Sequence, residues 1–352
     1  MLYRKSLKPL VFLLFTMSLL LVGCSSTSNT AEPISRTTLQ FGTVIQISVF
    51  DTKDQDALDL AIGHMKTLEN ELSTSIAKSD VSQFNEAAAN DVVVLGEHAQ
   101  AVVSRGLYYS AQSNGQFDIT IEPLVDLWSI GKEDAQIPDD ASLTQALELV
   151  GYENLKFDPV HGTLTKTKEG VKIDLGAIAK GYAADEAARI LKENGVESAL
   201  INLGGNVLAL GDKEGVAWKV GIQDPLQNQG AMVGIVEVTD ASVITSGVYE
   251  RYFEEDGVRY HHILSTDNGY PVNNEILGIS ILSETAIDGD ALSTVVYTMG
   301  LEAGMDFIES LEGIEAIFVS RDSKIYVSTG AEKVFDHRNQ AFDLISSATK
   351  DK

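Results

Sequence analysis

The spacing of apolar residues along the chain predicts a mixture of helices and strands. Over Asp54–Leu72 apolar residues recur every three or four positions, which indicates a helix with one buried face. Over Thr43–Phe50 apolar and polar residues alternate, which indicates a strand. The same two patterns predict further helices over Glu97–Asn114, Ser142–Val150, Gly176–Asn194, Asp290–Met299 and Ala303–Leu311, and further strands over Val171–Leu175, Ala199–Leu203, Ala217–Gln223, Val233–Val238, Val258–Leu264, Gly278–Leu282, Ala316–Ser320 and Lys324–Ser328.

These elements do not follow a regular strand–helix–strand rhythm, so the expected fold class is α+β with a largely antiparallel sheet, not a doubly wound sheet. No linker-like stretch interrupts residues 36–348, and we expect them to form one domain.

The N-terminus has the layout of a secretory signal. Basic residues within the first eight positions precede an apolar run, Leu10–Val22, that is too short to span a bilayer comfortably. The run ends at Leu21-Val22-Gly23-Cys24, the pattern of a bacterial lipoprotein cleavage site, and the chain contains 1 cysteine. We therefore predict a signal peptide over residues 1–23, lipidation of Cys24 and a flexible tether over residues 24–35. The protein is then expected on the extracytoplasmic face of the cell membrane, held there by its lipid.

The formal net charge of −25 argues against a nucleic-acid partner, because phosphate binding needs clustered Lys and Arg. An acidic surface of this kind mainly keeps a protein soluble.

The segment from Lys172 to Tyr182 could bind an anion, since a predicted strand runs directly into a predicted helix. Helix N-termini present unpaired N–H groups and a partial positive charge. Gly176 permits close approach of the backbone, Lys180 could reach a phosphate, and Asp174 could fix a polar group of the ligand. A plain strand–helix junction with a solvated lysine is an equally good interpretation.

Asp290 and Thr294 are spaced to share one face of a helix. A carboxylate and a hydroxyl form an oxygen-rich pair that suits Mg²⁺. The competing interpretation is that Asp288 or Asp290 caps the helix and Thr294 only packs on it.

His261 and His262 are adjacent in a predicted strand, so their side chains point to opposite faces and make a poor metal chelate. One of them is expected to be buried and the other could line a site, where His262 could transfer a proton or contact a phosphate. A structural histidine is an equally good interpretation.

Taken together and in order, these segments resemble the FAD:protein FMN transferase family over nearly the whole mature chain, from Phe41 through the helix that contains Asp290. The motifs that support this resemblance are Gln116-Phe117-Asp118, Asp174–Asp185, Thr245–Phe253, His261-His262-Ile263, Gly269-Tyr270-Pro271 and Asp290–Thr294.

The resemblance implies that FAD binds in an extended groove and is split, so that the FMN half is attached to a Thr or Ser hydroxyl of an extracytoplasmic acceptor protein and AMP is released. It implies that the residues lining the FAD groove are Phe41, Ser75, Gln116, Phe117, Asp118, Asp174, Lys180 and Leu264. It also implies that Mg²⁺ is held by the carbonyl oxygen of Ala177 together with Asp290 and Thr294, and His262 is our choice for the proton acceptor. At one groove position, Ser75 stands where many members of the family have tyrosine.

Two rival functions fit the same motifs. Water could replace the acceptor, which would make the protein an FAD pyrophosphatase that releases FMN and AMP. Alternatively the protein could be a lipoprotein that binds flavin without catalysis, although a pure binder has no need of a metal at the pyrophosphate.

Overall fold

The computed structural model describes residues 32–52, 55–228 and 230–345. In this part of the chain the helices are α1 (Asp56–Leu72), α2 (Asp80–Glu86), α3 (Glu97–Gln112), α4 (Glu122–Trp128), α5 (Asp140–Leu147), α6 (Ala179–Glu193), α7 (Ala286–Met299) and α8 (Leu301–Glu309). The strands are β1 (Ile34–Gln40), β2 (Thr43–Val49), β3 (Val93–Val94), β4 (Leu155–Asp158), β5 (Thr163–Lys166), β6 (Ala199–Leu203), β7 (Asn206–Leu210), β8 (Trp218–Gln223), β9 (Met232–Val238), β10 (Ala241–Gly247), β11 (Tyr252–Glu255), β12 (Val258–His261), β13 (Ile276–Ser283), β14 (Glu315–Ser320), β15 (Lys324–Val327), β16 (Phe335–His337) and β17 (Asp343–Ile345).

A nine-stranded sheet in the order β1-β2-β6-β7-β10-β13-β14-β15-β17 forms the centre of the fold. Its neighbouring strands pair antiparallel except for β15 and β17, which are parallel. Every residue of β13 is buried, which is expected for a central strand covered on both faces.

The two faces of this sheet pack against different layers. Ala316 and Phe318 of β14 belong to a core shared with the helices, of which α1, α6 and α7 pack side by side. Ile317 and Val319, which alternate with them, belong to a second core under the small sheet β16-β9-β8. The alternation of apolar residues along one strand therefore supplies two cores at once.

The predicted α+β class with a largely antiparallel sheet is confirmed. The predicted strand over Val171–Leu175 is wrong. The segment is extended, but no strand pairs with it in the described sheets. Instead the side-chain amide of Asn85 bonds both backbone groups of Ile173, at 2.7 Å to its N–H and 2.9 Å to its C=O, and so takes the place of a neighbouring strand.

The predicted helix over Gly176–Asn194 begins later, at Ala179, because residues 176–178 form a turn. At the other end of the domain, β1 begins at Ile34 and pairs with β2, so Ile34 and Ser35 belong to the sheet and not to the predicted tether. Cys24, the signal peptide and the tether up to residue 31 lie outside the described residues. Among the described helices none has both the length and the apolar character needed to cross a membrane.

Candidate active site

A cleft of about 1240 Å³ opens where the helical layer meets the ends of several strands. With one exception, the predicted site residues inside the described part of the chain line this cleft: Phe41, Gln116, Phe117, Asp118, Asp174, Ala177, Lys180, His262, Leu264, Asp290 and Thr294. The exception is Ser75, which is exposed in the turn after α1 and does not line the cleft. The fold thus brings together segments that are far apart in the sequence.

The carboxylate of Asp290 is the most closely held charge in the cleft, with only 2 % of the residue exposed. Its Oδ2 accepts a hydrogen bond of 2.9 Å from the backbone N–H of Gly181, and its Oδ1 accepts one of 3.0 Å from the amide of Asn206. Lys180 Nζ lies 3.4 Å from the same Oδ1. These donors fix the orientation of the buried carboxylate.

Asp290 reaches this position because α6 and α7 approach each other very closely. A Cβ on Gly181 would lie 2.1 Å from the carbonyl oxygen of Ala286, so only glycine fits there. Asp185 of α6 accepts hydrogen bonds from the first backbone N–H groups of α7, Ala286 at 2.7 Å and Ile287 at 2.9 Å. Burial raises the pKa of Asp185 to about 6, so at neutral pH it is ionised and caps the positive end of α7.

Two further oxygen donors line the cleft with Asp290. Thr294 lies one turn further along α7, and no hydrogen bond of its hydroxyl to a described residue is present. The carbonyl oxygen of Ala177, in the turn before α6, likewise accepts no hydrogen bond within the described ranges. Buried polar groups normally have partners, and a hard cation is a suitable partner for a set of oxygen atoms.

The start of α6 differs from the prediction that its N–H groups are free for an anion. The N–H of Gly181, in the first turn, is bound by Asp290 as described above. Lys180 Nζ donates to the carbonyl oxygen of Gly176 at 3.1 Å, and Asp174 Oδ1 accepts the N–H of Gly176 at 2.5 Å. The segment is therefore held in place by its own side chains, with Lys180 one-quarter exposed and facing the cleft.

A second carboxyl group, that of Glu122, lies beside Asp174 in a buried position. Burial, first, and then the negative charge of Asp174 raise the pKa of Glu122 far above its usual range. Its Oε2 has no hydrogen-bond partner among the described residues. We conclude that Glu122 is protonated at neutral pH.

The turn between β1 and β2 places a strained residue at the rim of the cleft. Phe41 and Gly42 form a two-residue hairpin turn, and both have positive φ, 52° and 67°. Such turns favour Asn or Gly, and an aromatic residue in this conformation is unusual. The N–H of Phe41 donates to Glu69 at 2.7 Å, which holds the turn against α1. Strain of this kind often marks a functional position.

The two adjacent histidines face opposite ways, as their alternation predicts. His261 is buried and its Nε2 lies 2.9 Å from the carbonyl oxygen of Val272. His262 lines the cleft, and its Nδ1 lies 3.2 Å from the carbonyl oxygen of Arg251. Burial lowers the pKa of His262 to about 3, and the charge of Arg251 acts in the same direction. The ring is therefore neutral at physiological pH, with Nδ1–H donated to the carbonyl and the lone pair on Nε2 available.

The motif Gln116-Phe117-Asp118 forms one wall of the cleft, and its members differ in how they are held. Phe117 is 4 % exposed and is part of the helix–sheet core. Asp118 accepts hydrogen bonds from Thr120 N at 2.8 Å and Tyr152 N at 2.7 Å, which anchors the turn. Leu264, on the facing wall, belongs to a separate apolar cluster around Trp128.

Sequence reasoning gave no role to several polar residues of the cleft. One of them is Asn206, which holds Asp290. Glu250 and Arg251 also line the cleft. Desolvation raises the pKa of Glu250 to about 7, with the charge of Lys180 opposing this shift and that of Asp290 adding to it.

Comparison with known proteins gives one consistent result. The sequence model of the ApbE family matches residues 41–318. The chain is 35 % identical over 281 residues to the FAD:protein FMN transferase of Klebsiella pneumoniae, covering 80 % of this chain and 87 % of that one. It is 33 % identical over 314 residues to the Treponema pallidum protein of the same name, covering 84 % and 87 %.

Solved structures agree with this result. The crystal structure of the ApbE protein of Thermotoga maritima matches with a TM-score of 0.78 at 30 % identity, over 88 % of this chain and 100 % of that one. The apo form of the flavinyl transferase ApbE of Pseudomonas stutzeri matches with a TM-score of 0.77 at 29 % identity, over 88 % and 98 %.

Proposed function

The chain belongs to the ApbE family, and from this premise we propose that it transfers the FMN half of FAD to a Thr or Ser hydroxyl of an acceptor protein and releases AMP. The observation that carries the proposal is the convergence of Asp290, Thr294 and Lys180 in one cleft large enough for a dinucleotide. The relatives described above carry the name of this activity over most of their length.

The oxygen donors of the cleft fit a magnesium ion. Asp290 supplies a buried, oriented carboxylate, and the Ala177 carbonyl and Thr294 hydroxyl are oxygen atoms without another partner in the described structure. We propose that these three residues hold Mg²⁺. When bound, the ion neutralises charge on the pyrophosphate and stabilises the transition state of phosphoryl transfer.

The residues of the chain then have separate tasks in the reaction. Lys180 faces the cleft beside Asp290 and provides positive charge for the phosphates, while the turn at Gly176 lets the backbone approach them closely. The acceptor oxygen forms a bond to the FMN phosphorus, and the bond from that phosphorus to the bridging oxygen breaks, so that AMP leaves with the bridging oxygen. We assign the proton of the acceptor hydroxyl to Nε2 of His262, since this ring is neutral and its Nδ1–H is already donated.

We also propose that this reaction takes place outside the cytoplasm. We propose that lipidated Cys24 holds the protein on the outer face of the cell membrane, with the segment before β1 as a tether. Confinement of enzyme and acceptor to one surface raises their effective concentration, which favours transfer to a protein over transfer to water.

Release of AMP distinguishes the transferase from the two rival functions. The purified protein is incubated with FAD and Mg²⁺, with and without a membrane-protein extract from cells that lack this protein. We expect AMP release to depend on the extract. Equal AMP release without any acceptor would favour the FAD pyrophosphatase, and FAD binding with no AMP under either condition would favour a non-catalytic binder.

The role of His262 is tested against that of Glu250, a carboxyl group that also lines the cleft. His262→Ala is expected to lower the rate of transfer by about 10²–10⁴-fold while FAD binding persists. Glu250→Gln is expected to have a much smaller effect. The opposite order of the two variants would assign the proton to Glu250.

A further inference from the structure

A second cluster of metal-ligating side chains lies on the helical layer, away from the cleft. It consists of His64 on α1, His98 on α3 and Glu186 on α6, and each of them offers a ligand atom within 4.8 Å of the other two. None of the three lines the cleft. We propose that His64, His98 and Glu186 form a binding site for a zinc ion.

The donor atoms are already close to the arrangement that zinc requires. His64 Nε2 lies 3.0 Å from Glu186 Oε2. In a tetrahedral site with zinc bonds of about 2.0–2.2 Å, neighbouring donors are about 3.4 Å apart. The three ligands come from three neighbouring helices: α1 packs against both α3 and α6, and His98 of α3 contacts Tyr182 of α6.

The orientation of two of the three ligands is supported by a further residue. His98 Nδ1 lies 2.8 Å from the hydroxyl oxygen of Tyr182, one turn before Glu186 on α6. Glu186 accepts hydrogen bonds from Arg189 at 2.8–3.2 Å. Partners of this type that orient ligands are typical of metal sites.

The surroundings of the cluster carry more negative than positive charge. Three carboxylates, those of Glu186, Glu97 and Glu71, lie near enough to act electrostatically on Tyr182, and Arg189 acts in the opposite sense. The buried Oε2 of Glu71 has no hydrogen-bond partner in the described structure. A divalent cation at the cluster would balance this charge.

The chemical types of the three ligands favour zinc over magnesium. Two imidazoles and one carboxylate suit Zn²⁺ and leave a fourth position for water, whereas Mg²⁺ prefers oxygen donors alone. The side chains of His64 and Glu186 are 20 % and 14 % exposed, so an ion can reach the site from solvent. Bound zinc would join α1, α3 and α6 and so stabilise the helical layer on which Asp290 depends.

Zinc binding to the full-length protein tests the proposal. The protein is purified in detergent, treated with a chelator, freed of it and dialysed against micromolar ZnCl₂, and bound zinc is measured by elemental analysis. We expect His64→Ala, His98→Ala and Glu186→Gln each to lose one bound zinc relative to wild type. His161→Ala is the matched control, since His161 also pairs with a carboxylate, at 2.7 Å to Asp158, but lies outside the cluster.

Folding of each variant is checked by circular dichroism. If a histidine variant does not fold, Glu186→Gln still tests the site, because glutamine has nearly the same size as glutamate. The proposal also predicts that zinc raises the melting temperature of wild type and of His161→Ala but not of Glu186→Gln. It is overturned if wild type binds no zinc, if the cluster variants bind as much as wild type, or if the bound zinc is lost in Asp290→Ala instead.

Discussion

The backbone N–H of Gly181 and the carboxylate of Asp290 are joined by a hydrogen bond of 2.9 Å between α6 and α7. This contact ties the packing of the two helices to the chemistry of the cleft. The missing side chain of Gly181 lets α7 approach α6, and the approach brings the carboxylate of Asp290 to the first turn of α6.

Substitution of Gly181 by alanine is expected to destabilise the protein by about 1–3 kcal/mol, because the new Cβ would collide with the backbone of Ala286 at 2.1 Å. Activity should fall as well, since Asp290 is displaced. Gly63→Ala is the control. Gly63 is also helical, but nothing lies within 4 Å of its Cβ position, so alanine there should stabilise by about 0.5–1 kcal/mol. Urea unfolding of the two variants checks this, and equal effects would contradict the close packing at Gly181.

The proposed metal site predicts different effects for two threonines on α7. Thr294→Ala should raise the magnesium concentration needed for activity, because it removes an oxygen donor of the cleft. Thr298→Ala, one turn further on, should not do so, because the Thr298 hydroxyl donates to the carbonyl of Val295 at 2.7 Å.

Asp290→Ala is expected to abolish turnover while the fold remains, since it removes the only charged donor of the proposed set. The rate of FMN transfer is measured as a function of magnesium concentration for wild type, Thr294→Ala, Thr298→Ala and Asp290→Ala. Full activity of Asp290→Ala at ordinary magnesium concentration would refute the metal assignment.

The raised pKa of Glu122 predicts how the free energy of unfolding depends on pH. The unfolded chain releases the proton of this residue near its ordinary pKa of 4.5, whereas the folded protein holds it up to about 9. Between these two pKa values the folded state binds more protons than the unfolded chain does. Glu122 therefore lowers the free energy of unfolding as the pH rises, by at most about 1.4 kcal/mol per pH unit.

Glu122→Gln should remove this dependence and increase stability at about pH 8, because the glutamine amide donates to Asp174 without losing a proton. Urea unfolding at about pH 6 and pH 8.5 measures the change. Glu302→Gln, at an exposed position of α8, is the control that should follow wild type. Identical pH slopes for Glu122→Gln and wild type would show that Glu122 is ionised in the folded protein.

The sequence predicted the fold class and eleven of the residues that line the cleft, but it could not predict how the segments meet. The pairing of Asp290 with Thr294 could be predicted because residues four positions apart lie on the same face of a helix. The contact of Asn206 with Asp290 joins residues 84 positions apart, and no local pattern reports such a distance.

The wrong strand at Val171–Leu175 has a similar cause. Its alternating burial is real, but its backbone partner at Ile173 is the side chain of Asn85, 88 positions away. Periodicity reports which face of a segment is buried, and it does not report what the backbone bonds to.

Cys24→Ala tests the proposed location. The variant should no longer be attached to lipid, and it should appear as secreted or uncleaved protein, because the processing pattern requires a cysteine at this position. Fractionation of cells and mass analysis of the N-terminus measure this. A variant that is still lipid-modified would rule out Cys24 as the anchor.

Covalent flavin on acceptor proteins is the most direct test of the central claim. Membrane proteins from cells with and without this protein are separated on a denaturing gel and examined for flavin fluorescence, and the membranes of the deficient cells are also incubated with purified protein, FAD and Mg²⁺. We predict fluorescent bands only when the protein is present, and intact mass should give one added FMN on a peptide containing Thr or Ser. FAD split to FMN and AMP with no flavin on any protein would contradict the account.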